Sequence, residues 1–474
     1  MTHTIVISIL DRLGFKTVSP EYYDLLDTWK SWYECNVEKF HSYQVDTGIQ
    51  KLNVKRYSAG MAKQVCEDWA DLLMNEKVSI AIGGDKETEF VEQVLEDNSW
   101  DIKSNEAQET KGYCGTVAYV PHVVGAVLDG KGVPTGEAEG IVIDYIPAPQ
   151  IFPLSWTNGK IKEVAFVQSV KNNKKQYIYM QIHKLGQDKQ YEILNSLYEI
   201  NGSTPTEVPL ATLPDYENIP YVIYTHSAAP QFVIDKYAIK SNSKSTGPMG
   251  IAVFANAIDQ LKAVDIAYDS YVNEFILGKK RVMVKLEALK NLDGEPVFDT
   301  NEMVFYALPE DSASETMIKE LDMSLRTEQH SRGIQDLLHI LSHKVGLGND
   351  FYKFDGGSVK TATEVISANS KLFRTMKKHE IVLNSAIIDL VRIILRLGNL
   401  YFGQNFNVDT DVTVNFDDSI IEDTESEFKR DTQLVSLGVM ERWELRARYL
   451  GESPEEAKKN LPKLDAMTEA PEEE

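Results

Sequence analysis

The sequence predicts an α+β fold. Residues 112–237 alternate with a period of two and are rich in Val, Ile, Tyr and Thr, whereas the stretches before and after follow helical spacing. Two helical stretches also flank one short strand-forming segment, and a capping pattern opens a third, much longer helix.

The helical start covers residues 20–100. Ser19-Pro20-Glu21 supplies a hydroxyl cap, a proline at the first helical position and an acid near the positive end of the dipole. From Met61 to Asn75, Met61, Val65, Trp69, Leu72 and Leu73 share one face, and Glu87–Leu95 forms a further short helix. In the alternating region, 116–120, 140–146, 163–168 and 176–182 read as strands. Asp129-Gly130, Asn158-Gly159 and Asn172-Asn173 read as turns, so the region is an antiparallel meander. The Ser, Asn, Lys and Gly run at 240–249 reads as a flexible connector.

A helix is then expected from Ile251 to Leu277, with Phe254, Ile258, Leu261, Val264, Tyr268, Tyr271 and Phe275 at steps of three and four. Lys279-Lys280-Arg281 follow its negative end. Val282–Leu286 and Met303–Ala307 read as strands around a turn at Asp293-Gly294. The partner helix runs from Ser324 to Lys344 and is followed by a glycine-rich loop. Thr361-Ala-Thr-Glu364 is a capping box that opens a helix reaching Leu397. Unbroken, that helix would span about 55 Å, a length at which a kink is common. A short strand at 411–416 and two polar helices, 425–436 and 440–449, close the chain before an acidic tail at 466–474 that reads as disordered.

The chain has 474 residues, enough for two to four domains or subdomains. Lys and Arg number 49 against 72 Asp and Glu, a net charge of −23. That excess argues against tight gripping of nucleic acid and against adhesion to an anionic membrane. It leaves room for DNA to pass nearby without sticking. Three widely spaced cysteines, Cys35, Cys66 and Cys114, form no CxxC pair and read as reduced cytoplasmic thiols. The N-terminus lacks the features of a signal peptide. The most apolar helical stretch, 381–397, carries Asn384, Asp389, Arg392 and Arg396, so no span of a bilayer is expected.

Enzyme signatures fall short. His339 and His343 have zinc-binding spacing, but Ile340 stands where a metalloprotease needs Glu. Gly356–Thr361 resembles a phosphate loop, but Ser358 and Val359 separate the second glycine from the lysine. The acids between Asp409 and Glu427 lack the alternation and central glycine of a calcium loop. Lys371, Arg374, Lys377 and Lys378 form a local positive cluster suited to a solvated face, a subunit interface or a phosphate contact.

Four segments together resemble portal proteins of tailed bacteriophages infecting Gram-positive bacteria. They are 55–76 (KRYSAGMAKQVCEDWADLLMNE), 325–330 with 341–348, 354–365 (FDGGSVKTATEV), and 437–443 with 449–457. The resemblance implies a non-enzymatic ring of twelve subunits without a cofactor, divided into wing, stem, clip and short helical crown. In this sequence the wing would take 1–250. The stem helices would be 251–280 and 324–345, with the clip at 281–323 between them. A tunnel loop would occupy 346–360. The long helix and return to the wing would take 361–424, and the crown 425–465.

The expected partners are further copies of the chain, the major capsid protein, a scaffold protein, terminase, a head–tail connector protein and double-stranded DNA in transit, with no membrane. The expected location is the head vertex of the virion, and the host cytoplasm during assembly. On this plan Asp259, Asp265, Asp269 and Glu274 line the channel and repel phosphates, while Lys353 and Lys360 in the loop touch the DNA backbone weakly. A tail or baseplate protein and a DNA-processing enzyme such as a packaging motor are the other readings. A hollow ring separates the first from the portal plan, and ATPase activity the second.

Overall fold

The computed structural model describes residues 2–46, 48, 50–75, 78–127, 138–202, 204–278, 281–285, 305–308, 318–321, 324–353, 362–416, 424–450 and 454–461. The chain divides into two units, Met1–Phe354 with Arg374–Phe416, and Asp355–Phe373 with Asp417–Glu474.

The larger unit opens with α1 (Thr2–Arg12), which the sequence reading left unassigned, and α2 (Pro20–Tyr33). The expected all-helical start is broken by a hairpin, β1 (Ser42–Asp46) and β2 (Lys51–Lys55). Then come α3 (Met61–Leu73), β3 (Ser79–Ile82), α4 (Asp85–Asp97) and α5 (Trp100–Cys114). The amphipathic face read in 61–75 is buried as expected, with Val65, Trp69, Leu72 and Leu73 inside.

The meander forms, but as two sheets. One has the order β12 (Val233–Lys236), β4 (Thr116–Val124) and β5 (Gly140–Pro147). The other runs through β6 (Ile151–Thr157), β7 (Lys160–Asn172), β8 (Lys175–Leu185), β9 (Tyr191–Asn201) and β10 (Thr204–Val208), with β11 (Val222–Tyr224) also on β9. Asn158 and Gly159 turn between β6 and β7 with φ of 51° and 76°, as the Asn-Gly signal requires. The next turn is shifted by one residue. Asn172 pairs with Lys175, so Asn173 and Lys174 take the positive φ values, 52° and 74°. The Asp129-Gly130 turn lies outside the described residues.

The helix expected from Ile251 begins seven residues later, as α6 (Ile258–Leu277). Burial against α5 explains the shift. A Cβ on Gly250 would stand 2.1 Å from the Gly115 carbonyl oxygen, so the two glycine backbones touch. Val253 N–H then donates to Gly112 O at 2.9 Å instead of entering a helical ladder. Ile251, Ala252, Val253 and Phe254 are all buried in this irregular run. The loop before it is tied down, with Lys236 Nζ donating to Pro248 O at 2.7 Å.

The module after α6 is not a simple hairpin. Strand β13 (Arg281–Lys285) pairs in parallel with β14 (Phe305–Leu308) and antiparallel with β15 (Ile318–Leu321), a strand the sequence reading missed. Parallel neighbours need a long crossover, and the expected turn at Asp293-Gly294 falls in that connection, outside the described residues. The partner helix is α7 (Thr327–Lys344). The long helix forms as α8 (Ala362–Tyr401), 40 residues in helical conformation. In the larger unit its inner face carries Met376, Leu383, Ile387, Leu390, Val391 and Ile394, all buried. The expected strand at 411–416 is β16 (Val412–Asn415), which completes a two-stranded sheet with β3.

The larger unit's core is aromatic at its centre. Trp69 and Tyr237 each stand edge-on to His379, with centroids 4.9 Å apart. His379 Nδ1 accepts the Ala238 N–H at 3.1 Å, and burial pushes its pKa down to about 3, so the ring is neutral.

The smaller unit holds α9 (Thr424–Ser436) and α10 (Arg442–Leu450), as expected, and one further helix, α11 (Pro454–Lys459). Asp431 joins the first two. It accepts from Arg448 at 2.8 Å, from Tyr449 Oη at 3.0 Å and from Arg430 Nε at 3.2 Å, and the phenol and the two cations hold its carboxyl below the usual range against the opposing effect of burial.

Candidate functional site

The antiparallel pair α6 and α7 carries most of the residues singled out in the sequence. Helix α6 starts with Asp259 in its first turn and stops at Gly278, whose N–H bonds to Glu274 O. A side chain at 278 would strike Leu325 at 2.4 Å and Glu274 O at 2.6 Å, so the turn out of the helix requires glycine. Helix α7 buries Ile334, Leu338 and Leu341 and ends with Lys344, a cation suited to its negative end.

The two ends of the pair are clamped differently. At the far end of α6, Glu274 receives the Arg326 guanidinium at 3.0 Å through Nε and 2.8 Å through Nη2. Arg326 N–H donates to the same carboxylate at 3.2 Å, and His330 Nε2 lies 3.5 Å away. Arg326 holds the Glu274 carboxyl far down, at about 2. This fork ties the end of one helix to the start of the next, across the point where the chain leaves for the small sheet.

Nearer the body, α6 is bound to the segment before α3. Asp265 is only 4% exposed. Its carboxylate accepts from His41 Nε2 at 3.0 Å, from Ser58 Oγ at 3.0 Å and from Ala59 N–H at 2.8 Å. One turn on, Asp269 accepts the Tyr57 N–H at 3.0 Å.

The acids expected to line a channel are therefore not equivalent. Asp259, with a side chain 86% exposed, faces solvent and meets Lys262 at 3.3 Å. Asp265 corrects the expectation: its charge is consumed inside the chain and cannot face a duplex. Asp269 is half-buried against Tyr57, and Glu274 is paired with Arg326. The sequence reading missed His41, Ser58 and Arg326. Arg326 carried a faint signal, being a cation just before the second helix with a glutamate near the end of the first. His41 carried none.

The loop after α7 is anchored at its start. Trp69 Nε1 donates to Val345 O at 3.1 Å, and Gly346 takes φ 94° where a Cβ would stand 2.8 Å from Thr375. The Tyr352 hydroxyl donates to Asp68, whose pKa is raised by burial. Lys353 meets Asp350 at 3.1 Å, whereas Lys360 lies outside the described residues, as does the loop 356–361. On α8, Arg374 and Lys378 are exposed, Lys377 meets the buried Glu380 at 3.1 Å, and Lys371 is half-buried within the smaller unit.

His343 Nδ1 is bonded to Asn349 Oδ1 at 2.7 Å rather than joined with His339, and no group of metal-ligating side chains occurs among the described residues. Among them, too, no helix is long and apolar enough to cross a membrane. All three cysteines are free thiols.

A family model described as "Phage portal protein, SPP1 Gp6-like" matches residues 15–469. The chain belongs to the phage portal protein family. It is thus a structural, non-enzymatic component of a virion. The comparison with curated proteins returns no match. Among solved structures, a chain from the virion of a native gene transfer agent particle is 10% identical, with a TM-score of 0.34, over 83% of this chain and 89% of that one. A chain from the neck of an empty gene transfer agent particle, computed with C6 symmetry, is 10% identical, with a TM-score of 0.37, over 90% and 94%.

Proposed function

We propose that this portal chain closes into a ring of twelve subunits at one head vertex and forms the channel for double-stranded DNA during packaging and ejection. Membership of the portal family over residues 15–469 carries the reading. Its internal support is one local arrangement, an antiparallel helix pair with a small sheet inserted between the helices. In this reading α6 and α7 are the stem, and residues 281–323 are the clip that docks terminase and the head–tail connector. Residues 1–250 form the wing with the return after α8, 346–360 the tunnel loop, and 425–465 the crown. The major capsid protein and a scaffold protein surround the ring during assembly in the host cytoplasm.

The physical logic is repulsion with weak guidance. An acidic chain lets a duplex slide, and Asp259 is the acid best exposed to act on phosphates. Asp269 and Glu274 contribute a charge already shared with the chain's own donors. Lys353 and Lys360 give the loop its passing contact with the backbone. Ile266, Phe275, Ile276 and Ile340, apolar and exposed on the two helices, suit burial against neighbouring subunits.

The test is the mass and shape of the purified protein by light scattering and negative-stain microscopy. A ring of about 640 kDa, twelve times the 53.5 kDa subunit, with a central hole is expected. A compact dimer with ATPase activity would overturn the reading.

A further inference from the structure

The hairpin of β1 and β2 is amphipathic. Its register sets Tyr43 opposite Val54 and Val45 opposite Leu52, so these four apolar residues share one face. Ser42 with Lys55, Gln44 with Asn53 and Asp46 with Lys51 take the other, where Gln44 Nε2 donates to Asn53 Oδ1 at 3.0 Å. The alternation is that of a half-buried strand, yet the apolar face is open. Val45 is 40% and Leu52 42% exposed, and Tyr43 and Val54 are only half-buried. The ribbon is otherwise well built. Gly48, at φ 79°, donates its N–H to Asp46 Oδ1 at 2.9 Å in the turn. The Arg56 guanidinium lies over Phe40 and Tyr43, 4.1 and 5.0 Å from the ring centres. The base is rooted on α6, through Tyr57 on Asp269 and through Ser58 and Ala59 on Asp265. Two strands alone are marginally stable in water, so an anchored ribbon with one open apolar face calls for a cover.

We propose that a second copy of this chain covers that face, each hairpin packing onto the next subunit. The inference rests on the ring reading above and adds a named contact to it. Charge favours a copy. Residues 42–56 carry Lys51, Lys55 and Arg56 against Asp46 alone, a net +2 in a chain of −23, so another copy is an acidic partner for a basic ribbon. Symmetry favours it too. Rotation about a ring axis preserves height along that axis, so the root of each hairpin stands level with the neighbour's Asp265–Asp269 turn, where Ile266 is 49% exposed. A duplex fits less well, because Lys51 and Lys55 lie on the opposite face and the open face is apolar.

The test uses purified full-length protein with the photo-cross-linker p-benzoylphenylalanine in place of Leu52. Irradiation should give a covalent dimer at twice the subunit mass on a denaturing gel. Val45→Thr with Leu52→Thr keeps strand-favouring side chains and removes apolar surface. It should raise the concentration for half-assembly at least tenfold in sedimentation velocity, with an unchanged circular dichroism spectrum. Lys51→Glu with Lys55→Glu, which leaves the apolar face intact, should raise it at least threefold. Wild-type rings that yield only monomers or intrachain products on irradiation, or rings of the Thr variant that assemble like wild type, overturn this inference and leave the ring reading standing. Cross-linking to an added DNA duplex in preference to a second copy also overturns it. A wild type that stays monomeric at every concentration overturns it and the ring reading together.

Discussion

His41 donates its Nε2–H to Asp265 across 3.0 Å, and its Nδ1 accepts the Val37 N–H at 2.9 Å. The ring is thereby fixed as the neutral tautomer with its proton on Nε2, and it bridges the loop after α2 to the middle of α6. Because Ser58 and Ala59 donate to the same carboxylate, Asp265 is a junction of three chain segments. Asp265→Asn should therefore lower stability by about 2–4 kcal/mol, since it weakens several charge-assisted bonds in a buried place. Asp259→Asn, at an exposed site, should stay within about 0.5 kcal/mol. Denaturant or thermal unfolding of the two variants side by side checks this, and equal effects would contradict it.

The Glu274–Arg326 fork should be visible in acid. Glu274 is held at about 2 in the folded chain, below an ordinary value of about 4.3. A depressed carboxyl stabilises the fold above its unfolded value, and that stabilisation is lost as pH falls from about 4.3 toward 2. Wild type should therefore melt higher than Glu274→Gln at pH 6, and the gap should close by pH 2. A gap independent of pH would show that packing, not charge, is what the substitution removes.

Lys111 and Asp235 form an ion pair at 2.9 Å, 1% and 0% exposed, with Gln108 and the Tyr119 hydroxyl also on the carboxylate. Burial lowers the Lys111 pKa, and Asp235 opposes that shift. Asp235→Asn would strand the ammonium and should cost about 3–5 kcal/mol. Replacing both, as Lys111→Met with Asp235→Leu, should cost much less. Chemical denaturation of the single and double variants measures the difference.

Reversing the loop charges tests the channel reading. Lys353→Glu with Lys360→Glu should leave ring assembly intact and impair DNA packaging or retention. Because Lys353 lies 3.1 Å from Asp350, the variant also places two acids together there, which frees the loop from that ion pair. Normal packaging and retention in heads carrying this variant would remove the loop from the mechanism.

Lys174 sits in the hairpin turn at φ 74°, where an L side chain is strained by about 1 kcal/mol. Lys174→Gly should raise the melting temperature by a few degrees at most. A lower melting temperature would mean that the lysine side chain contributes contacts outweighing the strain.

The sequence determined the elements whose causes are local. The face of Met61–Leu73, the Asn158-Gly159 turn and the pairing of two helices around a strand-forming insert follow from spacing and turn chemistry. These act over a few residues and need no partner. The family resemblance was legible for the same reason, since it lay in contiguous segments.

Tertiary structure decided what depends on distant chain. Val253 gives its N–H to Gly112 because Gly115 and Gly250 allow two backbones to touch, so the helix starts late despite its periodicity. The insert's parallel pair could not be read, because strand direction is set by a crossover rather than by composition. Asp265 and Asp259 look alike in sequence, six residues apart on one acidic helix. Only the approach of His41, Ser58 and Ala59 to α6 makes one a buried acceptor and leaves the other in water, because burial converts a free carboxylate into a group that must find donors.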